Sequence, residues 1–170
     1  VYPLDVNKSK QELRKELSLP EEQTLLLFFD GTRPQKGPNS LLESLQYVES
    51  ENVTVVFAGP ARDNIKERII DIGRERNIDT SIIGRFEFIP DNNVYKYFLA
   101  SDAVLLPYRS DYRGTSGILQ RSIASSRPVV GTKCGTVGKI IKNWNVGIVV
   151  EPDSPVQFGQ AIDQLIENIH

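Results

Sequence analysis

Two short stretches of the chain place cations where they could do chemistry. In "RPQKG", Arg33 to Gly37, an arginine and a lysine stand three residues apart in a turn that Pro34 restricts and Gly37 releases. Cations at that spacing can face one anion, the arginine through a forked set of donors and the lysine as a point charge. In "YRSDYRGTSGILQRS", Tyr108 to Ser122, Arg109 and Arg113 precede a Gly-Thr-Ser-Gly run that opens a helical pattern. The first amides of a helix have no partner within it and sit at the positive end of its dipole, so Thr115 to Leu119 form an anion site from main chain alone. Together the two stretches suit a di-anion such as a diphosphate.

The elements that must position these residues are legible as alternating patterns. Apolar runs recur at "TLLLFF" (24–29), "VTVVFA" (53–58), "TSIIG" (80–84), "DAVLLP" (102–107), "RPVVGT" (127–132) and "VGIVV" (146–150). Each reads as a short strand apolar on both faces, the mark of a buried parallel sheet. Between them "NSLLESLQYV", "NIKERIIDIGRER", "NVYKYFLAS", "SGILQRSIASS", "VGKIIKNW" and "PVQFGQAIDQLIEN" carry apolar residues at helical spacing, and "NKSKQELRKELSLPEE" reads as a further surface helix ending near Pro20. Helix starts are expected at Asn39 or Ser40, Asp63, Asp91, and Asp153 or Ser154. The predicted fold is α/β: one doubly wound, Rossmann-like, three-layer domain over residues 1–170, with a mainly parallel sheet of about six strands. In such sheets ligands bind beyond the carboxyl ends of the strands, which draws attention also to Gly59 in "AGPARD" and to "IGRFEFIP" after the third strand.

Composition narrows the partners. In 170 residues, 20 Lys and Arg stand against 22 Asp and Glu, for a net charge of −2, so an anion site must be local and nucleic acid is not an expected partner. A single cysteine, Cys134, excludes a disulfide framework or cysteine zinc site and favours a reducing, cytoplasmic compartment. The only histidine is His170, so a histidine-based triad or metal site is not expected. No apolar stretch approaches the roughly 20 residues that span a bilayer. A start at Val1 and the absence of methionine suggest a domain excised from a longer polypeptide.

Structural explanations compete at every position. Arg33 and Lys36 also fit a solvated loop, Gly59 and Gly117 fit turn or packing glycines, Tyr108 and Tyr112 fit rim packing, and Cys134 fits a small buried residue. "GTVGKII" lacks the first glycine and the final hydroxyl of a phosphate-binding P-loop, and no G-x-G-x-x-G follows the first strand.

In their order along the chain these loops resemble the C-terminal, nucleotide-sugar-binding domain of the retaining glycosyltransferases called group 1, one half of a GT-B fold. The resemblance rests on "LLLFFDGTRPQKGPNSLLESL", "VTVVFAGPA", "SIIGRFEFIPDNNVYKYFLASDAVLLPYRS" and "SGILQRSIASSRPVVGTKCGTVGKII" with "NVGIVVEPDSPVQFGQAI". It implies that Arg33 and Lys36 bind the donor diphosphate and act on the leaving group, and that Ser116, Gly117, Ile118 and Leu119 open the phosphate-holding helix. It further implies that Arg85 and Phe86 frame the nucleobase and that Gly59 lies near the nucleotide. A UDP-sugar or GDP-sugar is the implied substrate, with no metal or other cofactor. The implied acceptor is a sugar, a lipid-linked glycan or another small molecule, reached through an absent N-terminal domain, in the cytoplasm or at the cytosolic face of a membrane.

The chain also departs from the family pattern. Counted back from Pro128, the paired glutamates that face the donor sugar and ribose fall at Arg113 and Arg121, and an often acidic position in the later glycine loop is Lys139. Three readings follow: the donor half of an active glycosyltransferase, a catalytically degenerate scaffold of the same fold, and a sugar-nucleotide epimerase. The last is disfavoured by the lack of internal histidines.

Overall fold

Each apolar run forms a strand flanked by turn residues; the four inner strands of the sheet are largely buried and the two edge strands only partly so. The computed structural model describes residues 8–29, 33–61, 65, 67–69, 71 and 81–169. The strands are β1 (Thr24–Phe29), β2 (Val53–Ala58), β3 (Ser81–Arg85), β4 (Ala103–Leu106), β5 (Val129–Thr132) and β6 (Gly147–Val150). They join in one sheet of order β3-β2-β1-β4-β5-β6, and every pairing is parallel. Helices α1 (Lys10–Glu16), α2 (Pro38–Ser44), α3 (Asp91–Ala100), α4 (Gly117–Ala124), α5 (Gly135–Trp144) and α6 (Pro155–Ile169) lie between or beside them. Residues 65, 67–69 and 71 are helical as well.

Side chains alternate across a strand, and the alternation builds two cores. Leu25 and Leu27 point to a cluster with Leu13, Val94, Phe98 and Ile141. Leu26 and Phe28 point to the other face, against Leu41, Phe158 and Ile162. Burying each such side chain stabilises the fold by about 1.5–3 kcal/mol.

Helix α1 is the surface helix expected of its segment, but it ends at Glu16 rather than near Pro20, and one face of it is buried. Ser9 and Glu12 form a capping box, and Leu13 and Arg14 are buried. The Arg14 guanidinium, 3% exposed, lies 2.7 Å from Asp102 Oδ2 and donates to the carbonyls of Ala100, Glu21 and Gln23. Asp102 also accepts from the Leu25 amide at 2.8 Å and from Lys10 at 2.7 Å. Burial pushes the Asp102 carboxyl up, but the bonds from Lys10 and Leu25 and the charge of Arg14 outweigh it and hold the group below its ordinary range.

Two expected helix starts also move. Helix α2 begins at Pro38 behind Gly37, not at Asn39 or Ser40, because Gly37 adopts φ 72° and Pro38 takes the first helical position. Pro90 precedes α3, and Asp91 is its first residue. Strand β3 ends one residue later than expected, at Arg85. Thr80, Asp63, His170 and residues 30–32 of the first loop lie outside the described residues.

The chain runs outward from β1 to β2 and β3, then returns to the other side of β1 at β4. At such a reversal the loops that follow the two strands, here β1 and β4, flank the crevice in which open α/β sheets bind ligands.

Candidate functional site

The loop after β1 makes a short 3₁₀ turn, Pro34–Lys36, which ends when the Gly37 amide donates to the Pro34 carbonyl at 3.0 Å. A Cβ at Gly37 would stand 1.8 Å from the Pro107 carbonyl oxygen. The Arg109 amide donates to the Gln35 carbonyl at 3.1 Å. The loops after β1 and β4 are therefore joined backbone to backbone across the crevice.

This contact carries Lys36 inward. The residue is 5% exposed, and Nζ donates to Tyr108 Oη at 3.0 Å and to Tyr112 Oη at 3.4 Å. It also sits 4.3 Å and 4.9 Å from the two ring centroids. Arg33, by contrast, is exposed at the start of the turn, so the two cations differ in depth. Tyr108 is 1% exposed, which corrects its expected place at the rim.

Ser116 caps α4, accepting from the Leu119 amide at 3.1 Å while its hydroxyl lies 2.7 Å from Tyr108 Oη. The main-chain anion site is thus narrower than Thr115 to Leu119. Leu119 is engaged by the cap, whereas the Thr115 carbonyl receives the Tyr112 hydroxyl at 2.8 Å, which anchors that residue without occupying its amide. The amides of Gly117 and Ile118 have no partner within the helix. Among the described residues nothing lies within 4 Å of a Cβ placed on Gly117, which leaves the backbone there open on that side. The Ile118 and Leu119 side chains are buried and fix the helix to the core.

Among the arginines of this loop, Arg113 is exposed and donates through Nη1 to the carbonyls of Ser110 at 2.5 Å and Tyr112 at 3.2 Å. Arg121 lies half-buried in the last turn of α4, away from its positive end. Arg109 is half-exposed and lies 3.6 Å from Asp111.

A second helix end meets the same loop. Cys134 is the N-cap of α5, with Gly135 at φ 49° behind it. Thr132 Oγ1 donates to the Tyr108 carbonyl at 2.7 Å, and Cys134 Sγ donates to the Arg109 carbonyl at 3.1 Å. Burial pushes the Cys134 thiol up, in keeping with a packed structural cysteine. Asp153, in the loop after β6, accepts from the Ser110 amide at 3.2 Å. Hydrogen bonds from Ser110 hold its carboxyl below the ordinary range.

Gly59, Arg85 and Phe86 form a separate cluster at the β2–β3 end of the sheet edge. Gly59, at φ 113°, donates its amide to the Arg85 carbonyl at 2.9 Å. The Arg85 guanidinium reaches the Ser18 carbonyl at 3.2 Å, so its side chain serves the end of α1. The Phe86 ring folds over Gly84, where a Cβ would lie 2.2 Å from it. A cavity of about 620 Å³, lined by Pro128, Asn145 and Val146 among others, opens at the amino ends of β5 and β6 and is no part of this site. Among the described residues no group of three or more His, Cys, Asp or Glu side chains is placed to hold a metal ion, and no helix is long and apolar enough to cross a membrane.

Of the residues that build the site, sequence reasoning placed Tyr108 and Tyr112 at the rim rather than around the Lys36 ammonium, and it missed Thr132. The one available signal was a tyrosine directly after the strand and proline of "VLLPY".

Residues 9–169 match the family model described as glycosyl transferases group 1. A curated protein of Methanocaldococcus jannaschii, named an uncharacterized glycosyltransferase, is 24% identical over 173 residues, which cover 98% of this chain and 43% of that protein. Among solved structures, Anabaena HepE in complex with UDP superposes with a TM-score of 0.76 at 20% identity, over 94% of this chain and 43% of HepE. The C-terminal domain of a Francisella tularensis glycosyl transferase group 1 family protein, LpcC, gives a TM-score of 0.74 at 23% identity, over 98% of this chain and 85% of that one. At these identities the structural likeness establishes the shared fold. The chain spans less than half the length of the curated relative.

Proposed function

The chain belongs to the glycosyl transferases group 1 family, and from that premise we propose that its crevice binds the diphosphate of a UDP-sugar or GDP-sugar for transfer of the sugar with retention. The carrying observation is Lys36, buried beside the Ser116-capped start of α4 at the point where strand order reverses. In transfer, the bond from the anomeric carbon to the diphosphate oxygen breaks while an acceptor hydroxyl oxygen bonds to that carbon, and negative charge grows on the departing diphosphate. Lys36, Arg33 and the amides of Gly117 and Ile118 would meet that charge with donors fixed in advance, which favours the transition state over the ground state. In this reading the chain itself supplies the positive charge. The UDP complex of the similarly folded HepE supports the choice of ligand class. Gly59 and the main chain of Arg85 and Phe86 would frame the base, and an acceptor such as a sugar or lipid-linked glycan would bind on a preceding domain, at the cytosolic side of a membrane. Alone, the 170-residue unit would bind donor without turnover.

One observation favours a second reading, a degenerate binding module. Arg113 and Arg121 stand at the family's acidic positions, and the Arg113 guanidinium turns back onto its own loop. A panel of UDP- and GDP-sugars offered to the full-length protein separates the two. Release of nucleoside diphosphate from any donor is the outcome expected of the enzyme; tight donor binding with no release from the whole panel favours the module.

A further inference from the structure

Resting on the diphosphate-binding reading, we propose that Tyr108 is a positioning residue that sets the Lys36 ammonium and the α4 N-terminus against one anion. Its main chain is fixed first. The Tyr108 amide donates to the Leu106 carbonyl at 2.8 Å, which turns the chain sharply after β4. The Tyr108 carbonyl receives Thr132 Oγ1 at 2.7 Å and Cys134 Sγ at 3.4 Å, so the residue is tied to the end of β5 and the cap of α5.

The phenol then joins the remaining two elements. Its oxygen accepts from Lys36 Nζ at 3.0 Å and lies 2.7 Å from Ser116 Oγ, which in turn receives the Leu119 amide. Whichever hydroxyl donates between Tyr108 and Ser116, the chain of contacts from Lys36 to the first turn of α4 is continuous. A buried ammonium loses its hydration and must regain acceptors or ring faces to stay charged. Tyr108 offers both, its ring centroid lying 4.3 Å from Nζ. Tyr112 adds a second ring on the same side of the ammonium, its centroid 4.9 Å from Nζ and 4.3 Å from that of Tyr108, and Gly114 leaves room for it, since a Cβ there would lie 2.9 Å from Tyr112 Oη. Tyr108 is nevertheless the residue that touches the β1 loop, the α4 cap and the α5 cap together. The distance between the two positive positions is thereby set before ligand arrives, which is the condition for preorganised charge stabilisation.

A tyrosine that merely fills the core would have the same burial, and the Tyr108→Phe variant separates the two roles because it keeps the ring and removes the oxygen. The full-length protein, wild type and variant, is titrated calorimetrically with UDP and GDP and with UMP and GMP. A monophosphate cannot span both positive positions, so loss of alignment should weaken the diphosphates selectively. The expected result is about a tenfold loss of diphosphate affinity, as for one hydrogen bond to a charged group, with monophosphate affinity unchanged within about twofold and thermal stability largely retained. Equal loss for both ligand classes, or no loss for either, overturns the proposal. Thr132→Val, which releases the Tyr108 carbonyl and leaves the α4 cap intact, should show the same selectivity and decides the matter if Tyr108→Phe does not fold. Wild-type protein that binds UDP and GDP no more tightly than UMP and GMP instead overturns the functional reading on which the proposal rests.

Discussion

The Cα of Gly37 faces the carbonyl oxygen of Pro107 so closely that a Cβ would stand 1.8 Å from it, and the glycine holds φ at 72°. Both the space and the backbone angle therefore require glycine. Gly37→Ala should lower stability by more than the roughly 1–2 kcal/mol that a left-handed L-residue alone costs, because the loops after β1 and β4 must also part. Chemical denaturation measures the loss, and the chemical shift of the Lys36 side chain reports whether the crevice opens with it.

Asp102 and Arg14 make the second test, far from the crevice at the amino ends of β1 and β4. Removing one partner of a buried pair leaves the other charge uncompensated, so Asp102→Asn should destabilise the fold by roughly 3–5 kcal/mol. The pH dependence follows from the direction of its shift. The folded carboxyl lies below its ordinary range, so its contribution is complete above the unfolded value of about 3.9 and fades as pH falls through the lower folded value. Urea unfolding between pH 7 and pH 2 should show that acid loss in the wild type, with a correspondingly smaller decline in Asp102→Asn.

Ser116 supplies the cap of α4 through its bond with the Leu119 amide. Ser116→Ala should reduce stability by about 1 kcal/mol, the usual loss for a capping hydroxyl. Fraying confined to the first turn of α4, read by amide hydrogen exchange at Leu119 and Gln120, is the accompanying signature. Unchanged exchange there would show that the cap is not what holds the turn.

Much of the fold was legible because a buried parallel strand is a continuous apolar run, and "TLLLFF" and "VTVVFA" became β1 and β2 with their bounds intact. Ser116 and Gly117 were legible as a helix start for an equally local reason. The depth of Lys36 was not, because it depends on Tyr108 and Tyr112, which meet it only when loops from two different strands cross. Arg14 was hidden among the charges of "KQELRKE", whose spacing suits a solvated helix until Asp102 arrives from β4. The start of α2 was misplaced by the local preference for Asn39 or Ser40 as a cap. The contact of Gly37 with Pro107 overrode that preference.

The central claim is that Lys36 and the start of α4 together receive a diphosphate. Calorimetric titration of UDP and GDP into the full-length protein, wild type and Lys36→Ala, tests it most directly. The account predicts saturable binding of at least one of the two to the wild type and a loss of tenfold or more in Lys36→Ala while the variant remains folded. Absence of binding to the wild type, or equal affinity in the variant, would contradict it.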